Sequence, residues 1–359
     1  MMLNLSPEVI IDFITGFTFM IGGIILEIKA KIKKLKPLLL FGLVWIILAL
    51  YYTIEGLAFM FMNSFLCRIY TILIFPIALF AVIFIDYTTK EKIGTIKISL
   101  AFGLGFLLLY LAFQPDVLKQ TVEFGYPTFN WSIEVLIIST IMILYVIVLL
   151  YSWSLLVWFK QPAQLKKQTY YFLVGFTLMG PINFFIYTLI FIDPFFVIIA
   201  DIIAIIGAII IIYMILKQPK IFFILPFKAY TLIAIHRTGG YPLFSHSWNP
   251  PIINQDFFSM ILNATERMSM EILLKGGIKS LDLESGILLI EKSELFVVGL
   301  LASKRSIYLM DCLNKFMKEF DLRFRNELIQ SPSNTAIFNT AQELIDIIFA
   351  YIPSLLDNK

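Results

Sequence analysis

The stretch FFVIIADIIAIIGAIIIIYMIL, Phe195–Leu216, decides the class of fold. Its 22 residues hold one ionisable group, Asp201, and the run stops at Lys217. A hydrocarbon core about 30 Å thick is crossed by roughly 20 helical residues, so a run this long and apolar reads as a membrane span. Six earlier runs meet the same criterion: Val9–Ile28, Leu38–Met62, Phe65–Ile85, Ile98–Phe113, Ile133–Phe159 and Tyr170–Ile192. Pro76 and Pro181 fall inside the third and sixth, which a membrane helix tolerates where neighbours satisfy the freed carbonyl. The whole chain is 59% hydrophobic and 15% charged. Soluble domains carry about a quarter charged residues.

Lysines alternate along the connections. Lys29, Lys31, Lys33, Lys34 and Lys36 follow the first run, Lys90, Lys92 and Lys97 the third, Lys160, Lys166 and Lys167 the fifth, and Lys217 and Lys220 the seventh. The other connections are nearly bare, with Lys119 alone between the fourth and fifth runs. By the positive-inside rule this pattern predicts an outside N-terminus and a cytoplasmic C-terminal segment. Lys31, Lys33, Lys34, Lys36, Lys166 and Lys167 read as membrane-surface residues facing anionic lipid, not as a nucleic-acid site. Tyr51, Tyr52, Trp131, Trp153 and Tyr170 fit the interfacial belts.

Polar side chains inside spans are costly and count as site candidates. Glu55, Arg68, Glu134, Asn183 and Asp201 all fall in the outer half on this topology. Two readings stay open: a ligand pocket walled by aromatics such as Phe59, Tyr187 and Phe191, or interhelical pairs that fix packing. Glu55 and Arg68 flank a short turn at Asn63, so an ion pair between them is expected, with Asp201 near enough to share the arginine. Gly22, Gly23, Gly103 and Gly105 suggest close helix contacts. The seventh run has no lysine to carry a retinal Schiff base, and no histidine precedes His236. Glu55 and Asp201 alone are too few for a proton relay.

Residues 229–353 read as a soluble α/β domain, joined by a linker at 218–228 and followed by a tail at 354–359. The linker QPKIFFILPFK is apolar and suits the membrane interface. Strands are expected at Tyr230–His236 and Tyr241–Trp248 around a Gly239-Gly240 hairpin, then at Ile278–Leu283, Ile287–Glu291 and Leu295–Ala302. Helices are expected at Gln255–Leu274, Arg305–Ile329 and Phe338–Ile352 from apolar residues three and four apart. The order is β-β-α-β-β-β-α-α, forming a five-stranded mixed sheet. KGGIKS (Lys275–Ser280) lacks Walker spacing, and its glycines suit a helix stop. His236 and His246 flank the hairpin far from any paired acid, and read as structural. Cys67 and Cys312 lie in different compartments on this topology and have no metal-ligand spacing.

Three stretches of the tail, HRTGGYPLFSHSW (His236–Trp248), ILLIEKSELFVVGLLASKRS (Ile287–Ser306) and LNKFMKEFDLRF (Leu313–Phe324), together with the element order, resemble longin-like domains of the roadblock/longin superfamily in Asgard-type archaea. The membrane half resembles, by topology alone, seven-helix input modules of signalling proteins. The longin resemblance implies protein–protein binding: docking of a small Ras-like GTPase or a longin/roadblock-type partner, or homodimerisation. It implies no shared catalytic residue. The expectation is a receptor or sensor with no cofactor, no metal and no enzymatic activity. A passive anchor for GTPase-linked trafficking and a small-solute transporter are the alternatives. Neither half shows a nucleophile–base–orienter set.

Overall fold

Helices follow the apolar runs, and α-helix continues through Pro76 in the third of them. The computed structural model describes residues 3–33, 36–90, 94–123, 126–161, 165–193, 195–222, 227–237, 239–248, 260, 264, 278–284, 286–330, 335–349 and 352. The chain divides into two units, Met1–Ile224 and Leu225–Lys359.

The first unit is built from α1 (Pro7–Lys33), α2 (Lys36–Phe61), α3 (Ser64–Lys90), α4 (Thr95–Ala112), α5 (Ile133–Lys160), α6 (Lys166–Thr177), α7 (Asn183–Tyr187) and α8 (Phe195–Lys217). Together α6 and α7 lie in one span, Lys166–Ile190, so seven helical spans are long and apolar enough to cross a membrane. This is the architecture of a multi-pass membrane protein. Most helices run beyond the apolar windows, α1 reaching Lys33 and α3 reaching Lys90. A lysine at the end of a span is compatible with this, since a long stem can cover apolar surface while its ammonium stays in water.

A hairpin stands where a plain connection was expected. Strands β1 (Leu118–Glu123) and β2 (Tyr126–Trp131) pair antiparallel, from Leu118 opposite Trp131 to Glu123 opposite Tyr126. It packs where α2 turns into α3: Phe129 is buried with Phe59 and Tyr70, and Gln120 Nε2 donates to the Met62 carbonyl at 3.3 Å. Asn4 Nδ2 donates to the carbonyls of Phe59 and Pro127, tying the N-terminal segment to both. This is the hairpin end of the bundle. At the opposite, lysine end, Lys29 Nζ donates to the carbonyls of Ile215 and Leu216, capping the last turn of α8.

Pro181 reshapes the sixth span. Proline lacks an N–H and crowds the carbonyl four residues back. The chain widens into a π turn over Leu178–Ile182, resumes as α7, and tightens to 3₁₀ at Thr188–Phe191. Gly207 on α8 faces this turn. A methyl group there would lie 2.7 Å from the Gly175 carbonyl oxygen and 2.9 Å from the Met179 nitrogen. Gly22, Gly23 and Gly105 also meet neighbouring helices, but Gly103 has no neighbour within 4 Å of its side-chain position, contrary to expectation. Mid-bundle, Phe41, Trp45, Phe84, Trp153, Phe172 and Phe176 form one buried aromatic core, with the Phe84 and Trp153 rings 4.8 Å apart. Packing of this kind holds helices together in lipid, where the hydrophobic effect does not discriminate between tails and side chains.

The second unit holds β3 (Ala229–His236), β4 (Pro242–Ser247), β5 (Ser280–Leu283), β6 (Gly286–Lys292) and β7 (Phe296–Ala302), then α9 (Ile307–Ile329) and α10 (Gln342–Ile348). The sheet order is β4-β3-β7-β6-β5 and every adjacent pair is antiparallel. The sheet is therefore not mixed. Consecutive strands β4 and β5 do run parallel, but they occupy opposite edges and never meet. The apolar runs of β3, β6 and β7 alternate between two buried faces. Leu232, Ala234, Leu289, Val298 and Leu300 point toward α9, while Ile233, Ile235, Leu288, Ile290 and Val297 form the other layer.

Ser306 caps α9 by accepting from the Leu309 N–H. The buried stripe of α9 is Leu309, Cys312, Leu313, Phe316, Phe320, Phe324 and Leu328, while Ile307 is exposed. Successive steps of four rotate a straight helix by about 40° each. Non-helical backbone at Phe324 interrupts that drift, and Leu328 stays inside. The last helix is shorter than expected, with a 3₁₀ segment over Thr335–Ala341 preceding α10. The expected helix Gln255–Leu274 lies outside the described residues apart from Met260 and Ala264, which are helical.

Candidate functional site

At the hairpin end, α1 and α2 approach closely enough that a methyl group on Gly56 would lie 3.2 Å from Asp12 Cβ. Asp12 and Thr15, three residues apart and so on one face of α1, are both buried, at 2% and 0% exposure. Asp12 Oδ2 and Thr15 Oγ1 have no hydrogen-bond partner. From α2 comes Glu55, half-buried, which accepts from the Tyr51 hydroxyl one turn earlier. From α8 comes Asp201, 4% exposed. Asn183 Nδ2, at the start of α7, donates to the Ala200 carbonyl at 2.7 Å and so braces the turn that carries Asp201. Glu8, Asp12, Glu55 and Asp201 interact electrostatically as one group.

Aromatic rings line the same region. Tyr52 stacks on Phe19 at 5.6 Å, with the rings 2° from parallel, and Tyr51 meets Tyr52 and Tyr70 edge-on at 5.2 and 5.5 Å. Tyr187 on α7 is exposed, yet within electrostatic reach of Glu55 and Asp201.

The cluster differs from the sequence expectation in its charge. Arg68 does not pair with Glu55. Its guanidinium donates to the carbonyls of Ala112 and of Gln114, the latter at 3.2 Å, and sits 6.0 Å from the Phe113 ring. The final carbonyls of α4 lack intrahelical donors and carry the negative end of the helix dipole, so an arginine within reach is drawn there. Among the described residues, none of Asp12, Glu55 and Asp201 forms an ion pair. Glu134 is exposed on the first turn of α5 and is not among the groups acting on these acids. Phe59 packs with Tyr70 and Phe129 under the hairpin, and the side chain of Phe191 lies outside the described residues.

Asp12 and Thr15 were not expected at the site. Asp12 stands only one turn inside the first apolar run, where a carboxylate reads as interfacial, and a threonine in a span is unremarked. The α1–α2 approach at Gly56 places Asp12 against α2, and Thr15 lies one turn further along the same face of α1.

The surface lysines divide. Lys31 and Lys167 are exposed, whereas Lys166 Nζ donates to the Trp158 carbonyl at 2.7 Å and lies 5.3 Å from the Trp158 ring, closing the end of α5. Lys33 and Lys36 occupy helix ends, and Lys34 lies outside the described residues. At the same end, buried Asp86 accepts from Lys97 Nζ and the Gly94 N–H, each at 2.7 Å.

In the sheet unit both histidines contact neighbouring elements of the same unit. His236 Nδ1 accepts from the Gly239 N–H at 3.1 Å, its Nε2 lies 3.4 Å from the Leu328 carbonyl, and its ring stacks on Tyr241. His246 Nδ1 lies 3.0 Å from Gln342 Oε1. An open cleft of about 580 Å³ lies between β5 and the segment joining β7 to α9, its lining including Asp282, Glu284, Lys304 and Arg305. Of KGGIKS, Lys275–Gly277 lie outside the described residues, and Ser280 begins β5. Among the described residues, no three His, Cys, Asp or Glu side chains are arranged to hold a metal ion.

No family model, curated protein or solved structure matches the chain.

Proposed function

We propose that this chain is a seven-span receptor or sensor that presents a cytoplasmic longin-like domain to a small Ras-like GTPase or its regulators. The observation that carries this reading is the acidic, tyrosine-lined cluster of Asp12, Glu55 and Asp201 at the hairpin end of the bundle. A passive anchor has no use for acids within its spans, and such groups usually mark a functional site. The lysine alternation supports an outward-facing cluster and an inward-facing C-terminal unit. The hairpin, three-strand meander and two closing helices, with one face of the sheet packed on α9, support the longin-like assignment.

The test uses the full chain in lipid nanodiscs, mixed with small GTPases loaded with GDP or a non-hydrolysable GTP analogue. Binding in one nucleotide state supports the proposal, and binding in neither removes the partner. Glu55→Ala and Asp201→Ala should alter recruitment that responds to a signal. Recruitment indifferent to both favours the anchor.

A further inference from the structure

We infer that the cluster of Asp12, Thr15, Glu55 and Asp201, with the rings of Tyr51 and Tyr52, binds a small organic cation, an amine or ammonium. The inference deepens the receptor reading, and rests on it only for what binding does next. Three observations point the same way.

The first is a set of acids without a cation. Three carboxyl groups from three helices share a region of low dielectric, and Arg68, the cation expected among them, is held by the carbonyls of Ala112 and Gln114 at the end of α4. A buried carboxyl group without a partner either keeps its proton or takes up a cation, and an ammonium is a partner that lets it ionise. The second is independent of charge. Asp12 Oδ2 and Thr15 Oγ1 are buried without a hydrogen-bond partner, at 2% and 0% residue exposure. Nearly all buried polar groups are satisfied in folded proteins, so an orphaned acceptor beside an orphaned hydroxyl marks a place for a donor.

The third selects the kind of cation. A metal ion needs oxygens converging within about 2.0–2.6 Å of one point. No such convergence occurs among the described acids. An ammonium is larger, bridges separated carboxylates through several N–H bonds, and is attracted to aromatic faces. Tyr51, Tyr52 and Tyr70 supply such rings beside the acids. Tyr187, exposed on α7, stands at the rim.

Calorimetric titration of the full chain in nanodiscs with methylammonium, tetramethylammonium and spermidine tests this, with Na⁺ and Ca²⁺ at matched ionic strength as the inorganic counterparts. Saturable one-site binding of an organic probe is expected, weakened about tenfold or more by Asp12→Asn and by Thr15→Val, and unchanged by Glu134→Gln. The proposal is overturned by saturable binding of Na⁺ or Ca²⁺ alone, by no saturable binding of any organic probe, or by binding that both variants leave intact. A melting temperature that moves with pH but with no added amine assigns the charge balance to protons, and also overturns it. Should Asp12→Asn fail to fold, Thr15→Val decides. Amine binding that leaves GTPase recruitment unchanged upholds this site and removes the receptor reading.

Discussion

Whether the acid cluster contains its own cation is decided by a double-mutant cycle on Glu55 and Arg68. Arg68→Gln removes charged hydrogen bonds to the carbonyls of Ala112, the last residue of α4, and Gln114 just beyond it, and a contact with the Phe113 ring. Buried charged hydrogen bonds contribute about 1.5–3 kcal/mol each, and an exposed cation–π contact about 0.5–1 kcal/mol. Arg68 is half-buried, so water replaces part of this, and the expected cost is about 2 kcal/mol. Glu55→Gln keeps an acceptor for Tyr51 while removing one of the clustered carboxyl groups. Since the two side chains do not touch, the double variant should equal the sum of the singles within about 0.5 kcal/mol. Unfolding free energies from denaturant titration in mixed micelles supply all four corners. A coupling above about 1 kcal/mol is what a direct Glu55–Arg68 ion pair gives. That result would refute the assignment of Arg68 to the α4 carbonyls, and would return to the acids the cation whose absence motivates an organic ligand.

Three other outcomes follow from the packing. Phe320→Ala empties a fully buried site whose ring touches Phe296, Phe316, Phe324 and Phe338, and should cost about 3–5 kcal/mol, read as lost hydrogen-exchange protection across β7 and α9. Gly207→Leu drives a side chain into the backbone at Gly175 of α6 and Met179 of the π turn, and should destabilise the bundle by about 1–3 kcal/mol, seen as a lower melting temperature; an unchanged one contradicts the close approach of α8 to the sixth span. Burial pushes the Cys312 thiol up to about 11, so maleimide labelling at this cysteine, followed by peptide mass spectrometry, should stay slow at neutral pH and accelerate only as pH approaches that value. In the unfolded chain the thiol ionises at its ordinary, lower pKa, so in the window between the two values rising pH also favours unfolding.

The membrane class, the number of spans and most strands of the tail were legible because each rests on local composition. Span length depends on how many consecutive residues lipid accepts, and strand position on runs of apolar residues between turn signals. The β1–β2 hairpin was not legible. Leu118–Glu123 is short and largely polar, Tyr126–Trp131 is short and carries Pro127, and the pair is anchored where Phe129 finds Phe59 and Tyr70, which arrive from other helices. The antiparallel sheet was hidden for a similar reason: strand order depends on which edge the chain crosses to between β4 and β5, and no residue in either strand encodes that alone.

The candidate site shows the same division most clearly. The sequence by itself determined that Glu55, Arg68 and Asp201 lie within apolar runs and need partners. Only the tertiary structure decided which partners they have. It gave Arg68 to the carbonyls of Ala112 and Gln114 at the end of α4, brought Asp12 against α2 at Gly56, and left three acids together without a cation. An ionisable group in a span advertises its cost wherever it lies, because that cost is a property of the residue and its solvent. Its compensation belongs to residues distant in the chain, and is fixed only when the helices pack.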